Sequence, residues 1–118
     1  MEAEVAKRLL DALGAARLIA EFTAGMDFSG FAANVVIRSA VERQFEIIGE
    51  ALRQAEAGDG AIATEIPDLR RIVGLRNRLI HGYDTVDDEL VWDIVQTKIG
   101  PLVATLTQRL EQAGYPSG

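Results

Sequence analysis

The residue types able to do chemistry crowd into one short stretch. Between positions 70 and 83 the chain reads Arg70-Arg71-Ile72-Val73-Gly74-Leu75-Arg76-Asn77-Arg78-Leu79-Ile80-His81-Gly82-Tyr83, which holds four of its 12 basic residues, its one histidine and one of its two tyrosines. Asp84, Asp87, Asp88, Glu89 and Asp93 follow at once, so a locally positive field gives way to a negative one. A guanidinium fork can bridge two phosphate oxygens, and an imidazole can pass a proton near neutral pH. The stretch therefore suits a single phosphate better than a long duplex. With one histidine per chain, separate imidazole acid and base require two chains.

Composition narrows the field further. Cysteine is absent, which removes disulfides, thiolate nucleophiles and cysteine-based metal sites. The formal charge of −6 argues against coating nucleic acid or an anionic membrane through bulk charge. No apolar run approaches the roughly 20 residues of a membrane-spanning helix, and the start MEAEVAKRLL lacks the basic region of a secretory signal. The expectation is a cytoplasmic protein without membrane contact, folded as a single domain over residues 1–118.

Apolar residues recurring at three and four residue steps make the chain all-α. A first helix is expected from Ala3 to about Thr23, closed by Gly25. The segment Met26 to Gly30 reads as a turn with Asp27 or Ser29 as N-cap. A long second helix follows to about Ala57, with Val35, Val36, Ala40, Val41, Phe45, Ile48, Leu52 and Ala55 on its buried side, and Gly58-Asp59-Gly60 ends it. Residues 58 to 66 read as loop. Pro67 fits the first turn of a third helix, which Gly82 stops. A fourth starts near Asp87-Asp88-Glu89, where acids suit the helix dipole, and Gly100-Pro101 is expected to kink or break it. Ala113 to Gly118 is expected to fray. The architecture is an antiparallel four-helix bundle.

Helical geometry constrains the chemistry. Five residues separate Arg76 from His81, which on one α-helix is a divergence of roughly 140° and a rise of about 7.5 Å. Either Gly82 ends the helix and frees the imidazole beside the negative end of the dipole, suiting a general acid, or a second copy of the chain supplies the partner across a two-fold axis. Glu42, Glu46 and Glu50 share one face of the second helix. They form a solvated stripe rather than a metal site, or one of them, with Glu46 the candidate, orients Arg76 while Gly49 permits close helix approach. Arg70, Arg71 and Arg78 are expected to be solvated or to pair with the acids of residues 84 to 93. Gly58-Asp59-Gly60 is too sparse to cradle a phosphate.

Arg76-Asn77-Arg78-Leu79-Ile80-His81-Gly82-Tyr83 resembles the Arg-x4-His-x-Tyr signature of the HEPN superfamily, specifically its HepT-like (DUF86) toxins. Val41 to Ala51 resembles that family's second-helix signature, and Glu89-Leu90-Val91-Trp92-Asp93-Ile94 resembles the segment after its catalytic motif. The resemblance implies a helical-bundle homodimer with an RNA-binding cleft at its interface and metal-independent endoribonuclease activity without a cofactor. Arg76 and His81 then match the catalytic pair, and Asn77 the polar residue beside the arginine. Tyr83 matches the tyrosine to which a minimal nucleotidyltransferase antitoxin adds AMP. Arg78 becomes a candidate RNA contact. Metal-free cleavage asks for a base at the ribose 2′-OH, an acid at the departing 5′-oxygen and a cation on the phosphorane, leaving a 2′,3′-cyclic phosphate. The alternative from another class is a non-catalytic helical dimer that docks a nucleotidyltransferase and binds its nucleotide or phosphate.

Overall fold

The computed structural model describes residues 1–82, 84 and 86–116, and Tyr83 lies outside the described residues. It is all-helical: α1 spans Ala3–Thr23, α2 Phe28–Ala33, α3 Val35–Gly58, α4 Ile62–Glu65, α5 Leu69–His81 and α6 Asp88–Gln112. Four are long, as the apolar period implies. α1 packs most extensively on α3, α3 also takes α5, and α6 lies on α1. Ion pairs reveal the chain directions. Glu56 meets Arg70 and Glu50 meets Arg76, so α3 and α5 run in opposite senses. Asp68 meets Lys98 and Arg71 meets Asp93, which makes α5 and α6 antiparallel too.

The second helix departs from its sequence-based outline. It is divided at Asn34, whose backbone is extended and whose side chain accepts from the Ile37 N–H to cap α3. Asp27 caps α2 in the same way through Gly30. The division shifts the helical phase. Phe31 is fully buried and stacks on Trp92 with centroids 5.1 Å apart, whereas Val35 and Val36, expected inside, are 61% and 73% exposed. From Val41 onward the expected stripe holds: Val41, Phe45, Ile48, Leu52 and Ala55 are all buried.

The stretch expected as loop contains α4, because Ile62 and Ile66 lie four residues apart and both enter the core. Pro67 is not in the first turn of α5. A residue before proline is pushed out of the helical region, so Ile66 is extended. Asp68 then takes a left-handed conformation (φ 64°), an angle Asp tolerates better than most residues, and α5 begins only at Leu69. Gly82 follows α5 directly.

Asp87 caps α6 by accepting from the Leu90 N–H at 2.7 Å. α6 is continuous through Gly100 and Pro101, so no break occurs there. Its C-terminus is tied down rather than frayed at Ala113. Tyr115 N–H donates to Leu110 O and Gly114 N–H to Glu111 O, with Gly114 at φ 83°, the paired pattern that satisfies terminal carbonyls around a left-handed glycine. Among the described residues no helix is long and apolar enough to cross a membrane.

The shifted phase has a measurable consequence. Phe45→Ala should cost about 3–5 kcal/mol of unfolding free energy, whereas Val36→Ala should stay within about 0.5 kcal/mol. Urea denaturation of the two variants checks the contrast.

Candidate active site

The site begins with a glycine. Where α3 crosses α5, a Cβ on Gly49 would sit 2.2 Å from Arg76 Cβ and 2.7 Å from its Cγ. No real pair of carbons approaches so closely. Glycine at position 49 is thus the condition for laying the arginine stem against α3, as its place in the sequence suggests. Arg76 is only about one-fifth exposed as a result.

The head of Arg76 is held on both terminal nitrogens. Nη1 donates to Asn77 Oδ1 at 2.9 Å, and Nη2 lies 3.1 Å from Glu50 Oε2. Nε is buried and has no hydrogen-bond partner among the described residues. The carboxylate supporting the arginine is therefore Glu50 and not Glu46, whose Oε2 goes to Arg43 at 3.2 Å. Helical spacing places the three glutamates on one face but leaves open which of them stands opposite Arg76; the register of α3 on α5 decides it. Glu42 takes a third course. Its carboxyl is pushed up by partial burial and by Asp88, against the opposing pull of Arg38.

Glu50 is fixed from within α3. Arg53 donates to both of its oxygens, at 2.8 and 3.2 Å, and Gln54 to Oε1 at 2.9 Å. These contacts, the hydrogen bonds from Arg53 foremost and then that from Gln54, with the charges of Arg53 and Arg76 adding to them, hold its carboxyl at about 2 instead of 4.5. The Arg53 guanidinium is pushed up in return. Glu50 stays ionised through the whole neutral range.

His81 is the last residue of α5 and is exposed. The helix is uninterrupted from Arg76 to His81, so the backbone keeps the roughly 140° divergence of five helical residues. An open groove of about 550 Å³ between α1, α3 and α5 is lined by Arg76 and Ile80 from α5, but His81 is not among its lining residues. The structure brings Arg76, Asn77 and Glu50 together, and His81 does not line the groove that Arg76 and Glu50 share.

The local positive field is largely neutralised. Arg71 pairs with Asp93 as expected, Arg70 pairs with Glu56 of α3 rather than with the acids beyond residue 84, and Arg76 has Glu50. Arg78 is exposed. The groove's charged lining is balanced, Arg8, Arg43 and Arg76 against Asp11, Glu46 and Glu50. Among the described residues no cluster of three metal-ligating side chains assembles.

Comparison with known proteins adds lineage to this geometry. The family model described as Ribonuclease HepT-like matches residues 12–109. A Methanocaldococcus jannaschii protein carrying the candidate name RNase MJ1380 is 41% identical over 91 residues, covering 77% of this chain and 83% of its own. A Thermococcus cleftensis protein named as a probable ribonuclease HepT is 36% identical over 94 residues, covering 80% and 84%. A Caldanaerobacter subterraneus protein with the candidate name RNase TTE0752 is 28% identical over 88 residues, covering 75% and 78%. No solved structure matches at the same stringency.

Two outcomes test the site's construction. Gly49→Ala should cost about 1–3 kcal/mol through overpacking at the helix crossing, read by urea denaturation. The depressed Glu50 carboxyl adds stability that is fully present above pH 4.5 and is lost as pH falls toward 2. Between those limits the wild type should lose more stability than Glu50→Gln does.

Proposed function

The chain belongs to the HepT-like ribonuclease family, and from that premise we propose that it is a metal-independent endoribonuclease, the toxin of a toxin–antitoxin pair, acting as a homodimer through Arg76 and His81. The observation that carries the reading is Arg76, braced on both terminal nitrogens at the lip of a groove and followed one and a half turns later by an exposed histidine. The whole chain acts as one HepT-like unit.

Cleavage follows from the chemistry of these groups. A base takes the proton of a ribose 2′-OH, the 2′-oxygen bonds to phosphorus, and the bond from phosphorus to the 5′-oxygen breaks. An acid returns a proton to that oxygen, leaving a 2′,3′-cyclic phosphate and a 5′-OH. Arg76 neutralises the charge that builds on the phosphorane oxygens. His81 serves as acid or base. Because a rigid helix turns His81 away from the Arg76 groove, a two-fold arrangement that sets His81 of one copy toward Arg76 of another completes the site, and it supplies two imidazoles for the two proton transfers. Asn77 holds the arginine head, and Arg78, exposed on the same helix, contacts the RNA backbone.

Control falls to Tyr83, two residues beyond His81. On a nucleotidyltransferase antitoxin that takes up the phenol proton, the Tyr83 oxygen would attack the α-phosphorus of ATP, forming the tyrosyl-AMP ester as the bond to pyrophosphate breaks. AMP added two residues along the chain from His81 accounts for the silencing of cleavage.

Unmodified protein should cleave RNA in EDTA, and Arg76→Ala and His81→Ala should each lower the rate by about 100-fold or more. Electrophoresis with end-group analysis of the products checks both rate and chemistry. Strict dependence on a divalent metal, or full activity of His81→Ala, would overturn the mechanism. Co-expression with the nucleotidyltransferase should add AMP mass to the Tyr83 peptide.

A further inference from the structure

We propose that Glu50 is a positioning residue for Arg76, a carboxylate locked within α3 that fixes how the guanidinium of α5 faces the groove. For its effect on cleavage this rests on the ribonuclease reading above; the positioning itself does not.

The two oxygens of Glu50 divide the work. Oε1 is engaged by Arg53 Nη2 and Gln54 Nε2, at 2.8 and 2.9 Å. Oε2 takes Arg53 Nε at 3.2 Å and Arg76 Nη2 at 3.1 Å. Arg53 and Gln54 lie on the next turn of the same helix, so the carboxylate is oriented before α5 contributes anything. A freely rotating glutamate would lose rotamer entropy on meeting the arginine, but here the neighbours in α3 have already taken that loss. Its charge is secure for the same reason. Glu46, one turn earlier, lacks this bracing and spends its oxygen on Arg43.

The consequence for Arg76 is a matter of counting donors. A guanidinium carries five N–H bonds, one on Nε and two on each terminal nitrogen. Glu50 engages Nη2, Asn77 engages Nη1, and Nε is buried. The N–H bonds of the terminal nitrogens not engaged in these contacts are left to meet an anion such as a phosphate. Gly49 fixes the stem and Glu50 the head. Without Glu50, rotation about the Cζ–Nε bond would let the fork present other edges.

Two readouts on the full-length folded chain test this. Nitrogen-15 NMR of the arginine side chains, with Arg76 assigned through Arg76→Lys, should show separate, slowly exchanging Nη protons for Arg76 in the wild type. These should merge or broaden in Glu50→Ala and in Arg53→Ala. In cleavage assays Glu50→Ala should lower kcat by about 10–100-fold with KM within about 3-fold, and Glu50→Gln, which keeps the size and one acceptor oxygen, should recover part of that loss. Should the alanine variant fail to fold, Glu50→Gln still decides, through a smaller fall in kcat and broadened Arg76 signals. Unchanged Arg76 signals in folded Glu50→Ala or Glu50→Gln would overturn the proposal. So would a glutamine variant as inactive as the alanine one, joined to loss of an acidic limb in the pH–rate profile, since that marks a proton-transfer role. A wild type that cuts no RNA defeats the ribonuclease reading alone, and the NMR result stands separately.

Discussion

The close crossing of α3 over α5 at Gly49 is the constraint from which the rest follows. A hydrogen atom in place of a side chain lets the Arg76 stem lie on the neighbouring helix, with 2.2 Å between a would-be Cβ and Arg76 Cβ. That approach brings Glu50, the next residue on α3, within ion-pair reach of the guanidinium. It also sets the antiparallel register in which Glu56 meets Arg70 farther along the same pair of helices. Packing of Phe45, Ile48 and Leu52, all fully buried along α3, keeps the helix from sliding to relieve the contact. A core built of interlocked apolar side chains transmits such a local demand along the whole element.

Charge follows packing in this molecule. An excess of acidic residues supplies partners for the arginines that packing brings near them, and many of those partners come from other helices: Glu50 and Glu56 of α3 for α5, Asp93 of α6 for α5, Glu65 for Arg109. The solvent-exposed pair of Arg71 with Asp93 adds little stability by itself. The larger effect of these pairs is on register, because opposite charges spaced along two helices favour one alignment over its neighbours.

Much of the fold was legible in the apolar period, and so was the close helix approach that Gly49 permits. The long helices α1, α5 and α6 begin and end close to where Thr23, Gly82 and Asp87 imply. What escaped was set by single residues acting over short distances. Asn34 offered its side chain to the Ile37 N–H and divided a helix whose apolar pattern runs on through the break, turning Val35 and Val36 outward. Ile62 and Ile66 signalled α4 with one pair of residues, too little period to separate from loop. At the site, three glutamates on one face were equivalent until a second helix chose among them.

The balanced lining of the groove has a kinetic meaning. Three arginines and three carboxylates line it, so its own charges sum to zero and give little field to draw an anionic chain from a distance. An anionic chain meeting such a groove would gain no long-range steering from it, and any preference would rest on contacts made once it has arrived. Short-range fit, set by how rigidly the guanidinium is held, then decides which collisions last.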